Sequence, residues 1–239
     1  MHEVTQNIYN ALDELALQYG VSRDEAEEAL LNAIEKVYKG DEVFLKGDGV
    51  VVDGKYYTFS KKRYSELIDA LKNEIIELSS LKIKYFILNV LKESDYTLYC
   101  KVSSKDNRFY YLTPFIKKDK PLSFLRIKVP VENFELNSDI HFFPVFIKEW
   151  LKRVKINLYE AQGCVICKKS VRYHIERYIK PKLGVLLEGK EIKVKNVFVK
   201  KEERMKRVIV LKIKGKVTNN IISYIKRYFN SFGWEVIFR

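Results

Sequence analysis

The sequence has few cysteines and no long hydrophobic run. Three cysteines in 239 residues cannot form a disulfide framework, so we expect a reducing, cytoplasmic environment. No apolar run approaches the ~18 residues of a spanning helix. The first residues also lack a basic segment followed by an apolar block, so we expect neither contact with a membrane nor a signal peptide.

Common enzyme motifs are missing as well. There is no Walker loop, no HExxH and no GxSxG. His2, His141 and His174 are far apart and have no acidic residues close by in sequence. We therefore predict a non-enzymatic protein without a cofactor. A nuclease is the alternative, but the basic two thirds of the chain offer few carboxylates that would bind metal ions.

Acidic and basic residues are unevenly distributed along the chain. Residues 1–79 carry 9 Lys and Arg against 16 Asp and Glu, a net charge of −7. Residues 80–169 have a net charge of +8 and residues 170–239 of +12. This division predicts three domains with these boundaries, of which the two basic ones bind a polyanion such as RNA. A thermophile's ion-paired surface is the alternative explanation for the abundant Lys and Glu.

We predict a multidomain α+β protein, in which the acidic domain contains both helices and short strands. Val4–Tyr19 has helical spacing, and Ser22 with Glu25 forms a capping box for a second helix. Three short strands and a helix over Lys61–Ser79 follow, with a hairpin at Asp53-Gly54. The strands are Glu42–Lys46, Gly49–Val52 and Lys55–Phe59. The exposed acids form either a solvated helix face or a docking face for a basic protein: Asp13, Glu14, Asp24, Glu25, Glu27 and Glu28.

The middle domain is rich in predicted strands. Five runs within about 80 residues of this basic region favour a five-stranded barrel of the OB type: Ile83–Val90, Thr97–Val102, Phe109–Phe115, Leu125–Val129 and Val154–Tyr159. A turn at Gln162-Gly163 follows. Residues 131–150 have no clear place, although Phe142 and Phe143 would suit the barrel end and Phe146–Lys152 a short helix.

Aromatic and basic residues interleave on these strands. OB barrels bind single strands through basic grooves and aromatic stacking platforms. The candidate RNA-binding residues are Tyr99, Lys101, Arg108, Phe109 and Tyr111. Aromatic side chains are also good strand formers, so each ring is either part of the core or a platform.

Cys164 and Cys167 form a C-x-x-C pair, which is half of a zinc site. Cys100 and His174 are the residues that would complete it. Val165 is typical of a strand, on which residues three apart point in different directions. We therefore favour buried structural thiols and predict no metal site. A redox dithiol would need a thioredoxin-like strand-to-helix context, and we expect that context to be absent here.

The last domain is predicted as helix, strand, strand, helix, strand. The helix covers Val171–Pro181, and the next two strands are Glu191–Val199 and Val208–Ile213. The closing helix carries Ile221, Ile222, Ile225 and Phe229 on one face, and Trp234–Phe238 forms the final strand.

Between the second strand and the closing helix lies the loop Gly215–Thr218, GKVT. A glycine and lysine loop at a helix N-terminus presents free N–H groups and the positive end of the dipole, which suits a phosphate. The GXXG loop of KH modules grips RNA in this way. The candidate residues, with Lys216 as the phosphate contact, are Lys214, Gly215, Lys216, Val217, Thr218 and Asn219.

Taken in order, four segments resemble the NusA family of transcription factors. They are LDELALQYGVSRDEAEEALLNAIEKVYKG, KRVKINLYEAQGCVICKKS, EIKVKNVFVKKEERMKRVIVLKI and GKVTNNIISYIKRYF. The resemblance implies an N-terminal domain that docks on RNA polymerase, an OB barrel and a type II KH domain. It also implies an RNA-binding role in transcription pausing, termination or antitermination. The alternative is an RNA chaperone or ribosome-associated factor that does not contact polymerase.

The sequence departs from this family in three places. Thr218 replaces the second glycine of the clamp loop, and the glycine usual in the first barrel strand is missing from Ile83–Val90. The family usually carries two KH domains, whereas this sequence contains one. We therefore expect a shorter RNA footprint and weaker binding.

Overall fold

The structure is a computed structural model that describes residues 3–40, 42–117, 120–131, 143–165, 167–200, 206–231 and 234–239. The chain divides into two compact units, residues 1–85 and 86–239. Helices and strands are mixed along the chain, so the predicted combination of α and β structure is confirmed in this general form. Among the described residues, no helix is both long enough and apolar enough to cross a membrane.

The first unit begins with helices α1 (Glu3–Tyr19) and α2 (Arg23–Tyr38), as predicted. The predicted capping box is present, because the Ser22 hydroxyl accepts the Glu25 amide N–H and the Glu25 carboxylate accepts the Ser22 amide N–H at 2.8 Å. An antiparallel sheet follows, made of β1 (Val43–Lys46), β2 (Gly49–Val52) and β3 (Lys55–Thr58). The helices and β2 enclose the core of this unit: Ile8, Leu12, Leu30, Ile34, Val50, Val52, Leu67, Leu71 and Ile75.

The third helix, α3 (Lys61–Glu93), is much longer than predicted. The expected helix end at Ser79 and the expected strand Ile83–Val90 are both wrong. Residues 83–90 are mostly apolar or aromatic, which is typical of a strand, but the fully buried side chains in this part of α3 are Ile87 and Leu91. Their spacing of four residues is helical, and no glycine or proline interrupts residues 61–93.

The second unit contains a closed five-stranded β-barrel, as predicted. Its strands are β4 (Thr97–Lys105), β5 (Phe109–Lys117), β7 (Leu125–Pro130), β8 (Phe143–Lys155) and β9 (Leu158–Cys164), with a two-residue strand, β6 (Lys120–Pro121), beside β5. The order is β4-β8-β9-β7-β5, and pairing of β5 with β4 closes the barrel. β7 and β9 are parallel and the other pairs are antiparallel. This barrel is compatible with an OB fold.

Two of the predicted barrel strands were wrong. Residues 83–90 belong to α3, and the predicted strand Val154–Tyr159 contains the turn between β8 and β9, where Asn157 adopts a left-handed φ of 59°. The segment Phe146–Lys152, considered as a helix, lies in strand β8. Phe142 and the side chain of Phe143, considered as a cover for the barrel end, lie outside the described residues.

Gly163 was predicted to be in a turn but lies within strand β9. A Cβ atom at this position would come within 2.4 Å of Ile127 Cγ2 and 2.6 Å of Val145 Cγ1. The glycine therefore allows close packing inside the barrel instead of marking a chain reversal.

A helical segment follows the barrel. It begins as α4 (Lys168–His174) and continues as a π-helical turn (Ile175–Ile179), α5 (Lys180–Leu183) and a 3₁₀ turn (Gly184–Leu187). The helix predicted over Val171–Pro181 is thus one part of a longer segment.

A three-stranded sheet and a helix complete the chain. The elements are β10 (Glu191–Lys200), β11 (Lys206–Lys214), α6 (Asn219–Asn230) and β12 (Trp234–Phe238). β11 pairs antiparallel with β10 and parallel with β12. Helix α6 buries Ile221, Ile225 and Phe229.

Candidate nucleic-acid interface

The outer surface of strands β5 and β7 carries aromatic and basic side chains. Phe109 and Tyr111 are two residues apart on β5, so they point to the same side of the strand, and both are partly exposed. On β7, Arg126 and Lys128 alternate with buried residues of the barrel core and therefore point outward. We call these four residues the barrel face.

Each cation of the barrel face lies over a ring of the neighbouring strand. The Lys128 ammonium is 3.9 Å from the centroid of the Phe109 ring, and the Arg126 guanidinium carbon is 4.8 Å from that of Tyr111. Both distances are within the range of cation–π attraction. The barrel face therefore combines flat apolar rings with positive charge, the two properties that single-stranded nucleic acid requires.

The turn before β5 fixes the orientation of the Tyr111 ring. The Asp106 carboxylate accepts the backbone N–H groups of Arg108 and Phe109 at 2.7 Å each and the Tyr111 hydroxyl at 2.8 Å. These hydrogen bonds lower the pKa of Asp106, and the one from the Arg108 amide has the largest effect. The same carboxylate raises the pKa of Tyr111. The side chain of Arg108 is exposed beside this turn.

Glu160 on β9 holds both cations in place. Its carboxylate accepts hydrogen bonds from Arg126 Nη2 at 2.7 Å and Nε at 3.1 Å, and it lies 3.8 Å from Lys128 Nζ. The Glu160 side chain is 9% exposed, whereas Arg126 is 37% and Lys128 29% exposed. Solvent, or a ligand, therefore reaches the two cations more easily than their shared carboxylate.

Sequence reasoning did not identify Arg126, Lys128 or Glu160. Basic and apolar residues alternate in Leu125–Val129, and this pattern indicates that the two cations face outward. It did not show that β7 neighbours β5, because that pairing depends on how the barrel closes.

The two predicted residues on β4 lie elsewhere. Tyr99 is opposite Phe115, at the far end of β5 from Phe109, and its ring is 6.1 Å from Tyr173 and 5.5 Å from Tyr178. Lys101 is exposed. The structure thus brings together the predicted residues of β5 and its preceding turn, and it does not bring Tyr99 to them.

The predicted clamp loop joins β11 directly to α6. Gly215 has a φ of 100°, which favours glycine, and Thr218 is the N-cap residue without a side-chain capping bond. Lys214, Lys216 and Asn219 are exposed, and Val217 is partly buried. The loop thus presents two lysines next to an uncapped helix start.

A basic groove that the sequence did not predict lies between α4 and β10. It has a volume of 570 Å³ and its lining includes Lys168, Lys169 and Arg172. The two carboxylates of the lining form ion pairs with Lys180 and Lys193, respectively. We call this region the α4–β10 groove.

The cysteines differ from the prediction. Cys100 is fully buried, but Cys164 and Cys167 are partly exposed, and the Cys167 thiol donates to the Cys164 carbonyl oxygen at 3.8 Å. Strand β9 ends at Cys164 and Cys167 is the N-cap of α4, so the expectations that both lie on one strand and that a strand-to-helix context is absent were wrong. Among the described residues, no group of three or more Cys, His, Asp or Glu side chains is arranged to hold a metal ion.

His174, the other residue considered for a zinc site, is part of an aromatic core. Its ring lies 5.8 Å from the rings of both Tyr228 and Trp234 and 6.1 Å from Phe229. Its Nδ1 is 3.1 Å from the Tyr228 hydroxyl oxygen. Burial lowers the pKa of His174 to about 3, so the imidazole is neutral in the folded protein.

Comparison with known proteins leaves the family open. No model of a known protein family matches the chain, and no curated protein matches it significantly in sequence.

Proposed function

We propose that this chain is a non-enzymatic factor that binds single-stranded RNA and acts in transcription. The observation that carries the proposal is the barrel face, where Lys128 lies over Phe109 and Arg126 over Tyr111. The resemblance of four ordered segments to the NusA family supports the role in transcription pausing, termination or antitermination.

The position of the barrel face supports RNA binding. β5 and β7 are the second and third long strands of the barrel, and OB folds bind oligonucleotides on this part of their surface. Base stacking on an aromatic ring contributes ~1–3 kcal/mol per base and tolerates any sequence. Phe109 and Tyr111 supply two such rings, and Arg126 and Lys128 supply positive charge next to them for the phosphates of the bound strand.

The clamp loop is proposed as a second RNA contact, in a KH-like domain. The exposed Lys214 and Lys216 and the start of α6 suit a phosphate. Because Gly215 has a φ of 100°, an aspartate there would strain the backbone. We therefore propose Lys216→Glu, which keeps Gly215, as the test of this loop, and we expect it to weaken RNA binding without unfolding the chain.

The first unit is proposed to dock on RNA polymerase. Several of its acids are paired within the unit, as Asp13 and Glu27 are with Arg23, and Glu25 with Lys82. Other acids on α1 and α2 are not part of these pairs. Two leucines are exposed, Leu17 (87%) and Leu31 (44%), and each lies one helical turn after an acidic residue. Apolar contacts flanked by acidic charge suit a basic protein surface.

Binding of a fluorescent single-stranded RNA to the full-length chain tests the RNA-binding part. We expect the single strand to bind more tightly than a duplex of the same sequence, because stacking on Phe109 and Tyr111 needs unpaired bases. Equal affinity for both forms would contradict the barrel face as the binding surface.

Recovery of purified RNA polymerase by the full-length chain tests the docking part. We expect Leu17→Glu with Leu31→Glu to reduce recovery, and Glu188→Lys in the second unit, also exposed, to leave it unchanged. If no polymerase is recovered although RNA binds, the chain is instead an RNA chaperone or ribosome-associated factor.

A further inference from the structure

The structure places two cysteines close together where the barrel ends and the helical segment begins. Cys164 is the last residue of β9, and Cys167 is the N-cap residue of α4. The Cys167 thiol donates a hydrogen bond to the Cys164 carbonyl oxygen, with Sγ 3.8 Å from that oxygen. Both residues are partly exposed, so a small molecule can reach the pair.

The surroundings of Cys167 favour its thiolate. The backbone N–H groups of Ser170 and Lys169 face its sulfur and favour the thiolate, whereas the Ser170 hydroxyl oxygen, 3.5 Å away, accepts a hydrogen bond from the protonated thiol. Ser170 is held in turn, because its hydroxyl donates to the Val165 carbonyl oxygen at 2.6 Å. The hydrogen bond from Cys164 is the largest cause that lowers the pKa of Cys167 to about 6, against the opposing effect of burial.

The neighbouring charges are basic on the side of α4. The Lys169 ammonium lies 4.3 Å from the ring centroid of Phe146, the residue directly opposite Cys164 in the β8–β9 ladder. Lys168 and Arg172 of α4 line the α4–β10 groove together with Glu191 and Lys193 of β10. An anionic reagent that approaches the pair therefore meets positive charge.

We propose that Cys164 and Cys167 are a redox-active dithiol that closes to an intramolecular disulfide by exchange with a small-molecule disulfide. The Cys167 thiolate attacks one sulfur of the reagent, forms a mixed disulfide and releases one thiolate. Cys164 then loses its proton to solvent and attacks Cys167 Sγ, which forms the Cys164–Cys167 bond and releases the second thiolate. The two cysteines are oxidised by two electrons, and the reagent is reduced to two thiols.

Site-resolved alkylation of the folded, full-length chain by iodoacetamide tests the roles of the two thiols. The rate at Cys167 should rise with a midpoint near pH 6, whereas an ordinary thiol with a pKa of ~8.5 is under about 1% thiolate at that pH. The fully buried Cys100 should stay unmodified and serves as the internal control. In urea, Cys164 and Cys167 should show the same ordinary profile. Identical profiles in the folded and unfolded chain would overturn the proposal.

Exposure to oxidised glutathione tests disulfide formation. Mass spectrometry of the wild-type chain should find a Cys164–Cys167 disulfide and a free Cys100. Cys164→Ser should stop at a mixed disulfide on Cys167, and Cys167→Ser should react at least tenfold more slowly at pH 6. Absence of the Cys164–Cys167 disulfide in the folded wild-type chain would contradict the proposal even if a variant fails to fold.

Discussion

The Lys128 ammonium lies 3.9 Å from the centroid of the Phe109 ring, on the strand next to it in the barrel. The ammonium lies over the centre of the ring, so a base that stacks on this face displaces the ammonium, which then lies next to the base's phosphate. This relationship joins the two kinds of contact that bind single-stranded RNA, stacking and phosphate neutralisation.

Phe109→Ala should therefore weaken binding of single-stranded RNA about tenfold. The loss of one stacking platform corresponds to ~1–3 kcal/mol. Fluorescence anisotropy with a short labelled RNA measures the change. Tyr85→Ala, which removes a 65% exposed ring in the first unit, is the matched control and should leave affinity unchanged. If both variants bind like the wild type, Phe109 does not stack on RNA.

Glu160→Gln should strengthen RNA binding. The substitution keeps the shape of the side chain but removes the carboxylate shared by Arg126 and Lys128, so both cations become available to phosphates. We expect roughly two- to fivefold tighter binding, because partly exposed charge pairs contribute ~0.2–1 kcal/mol. Glu149→Gln on β8, where the carboxylate is exposed, is the control. Weaker binding in Glu160→Gln would mean that Glu160 is needed to orient the cations.

Gly163→Ala should destabilise the barrel. The new Cβ atom would come within 2.4 Å of Ile127 and 2.6 Å of Val145, and overpacking of a core costs ~1–3 kcal/mol. Urea unfolding followed by circular dichroism measures the free energy of unfolding. Gln162→Ala at the exposed neighbouring position should change it by less than about 0.5 kcal/mol. Equal stabilities of the two variants would show that the strand tolerates a side chain at residue 163.

Elements defined by local signals could be predicted from the sequence. The capping box at Ser22 set the start of α2, and Asp53-Gly54, both with positive φ, forms the hairpin between β2 and β3. Residues 83–90 could not be assigned correctly, because a short apolar run suits a strand as well as a buried helix. Burial of Ile87 and Leu91, which decides between them, depends on tertiary contacts.

In the candidate site too, local sequence signals could be interpreted, whereas features that depend on tertiary contacts could not. Phe109 and Tyr111 were identified because alternation along one strand places them on one side. Their partners Arg126 and Lys128 were missed because cross-strand neighbours follow from barrel closure. The proximity of Cys164 and Cys167 was not predicted, because it depends on the end of β9 at Cys164. Val165 and Ile166 between the cysteines favoured a strand that continues through both.

The buried His174 should make the folded protein sensitive to acid. Its pKa is about 3 in the folded chain and ~6.5 when unfolded, so the unfolded chain takes up a proton first as the pH falls. Stability is complete above pH 6.5 and decreases by ~1.4 kcal/mol per pH unit between pH 6.5 and 3, or about 2 kcal/mol at pH 5. Urea unfolding at pH 7 and pH 5 measures this loss.

His174→Phe is the control for this pH dependence. It keeps an aromatic ring among Tyr228, Phe229 and Trp234 but has no titrating group. The variant should lose about 2 kcal/mol less stability than the wild type between pH 7 and pH 5. Equal losses in the two proteins would mean that other groups cause the acid sensitivity.

The salt dependence of RNA binding tests the central claim most directly. For single strands, the logarithm of the association constant falls with the logarithm of salt concentration with a slope of about −0.7 per phosphate contact. We expect the full-length chain to show a slope of about −3 or steeper, and Lys128→Gln to make it shallower by about 0.7. A wild-type chain that binds no single-stranded RNA at low salt, or a slope that Lys128→Gln leaves unchanged, would contradict the barrel face as an RNA-binding surface.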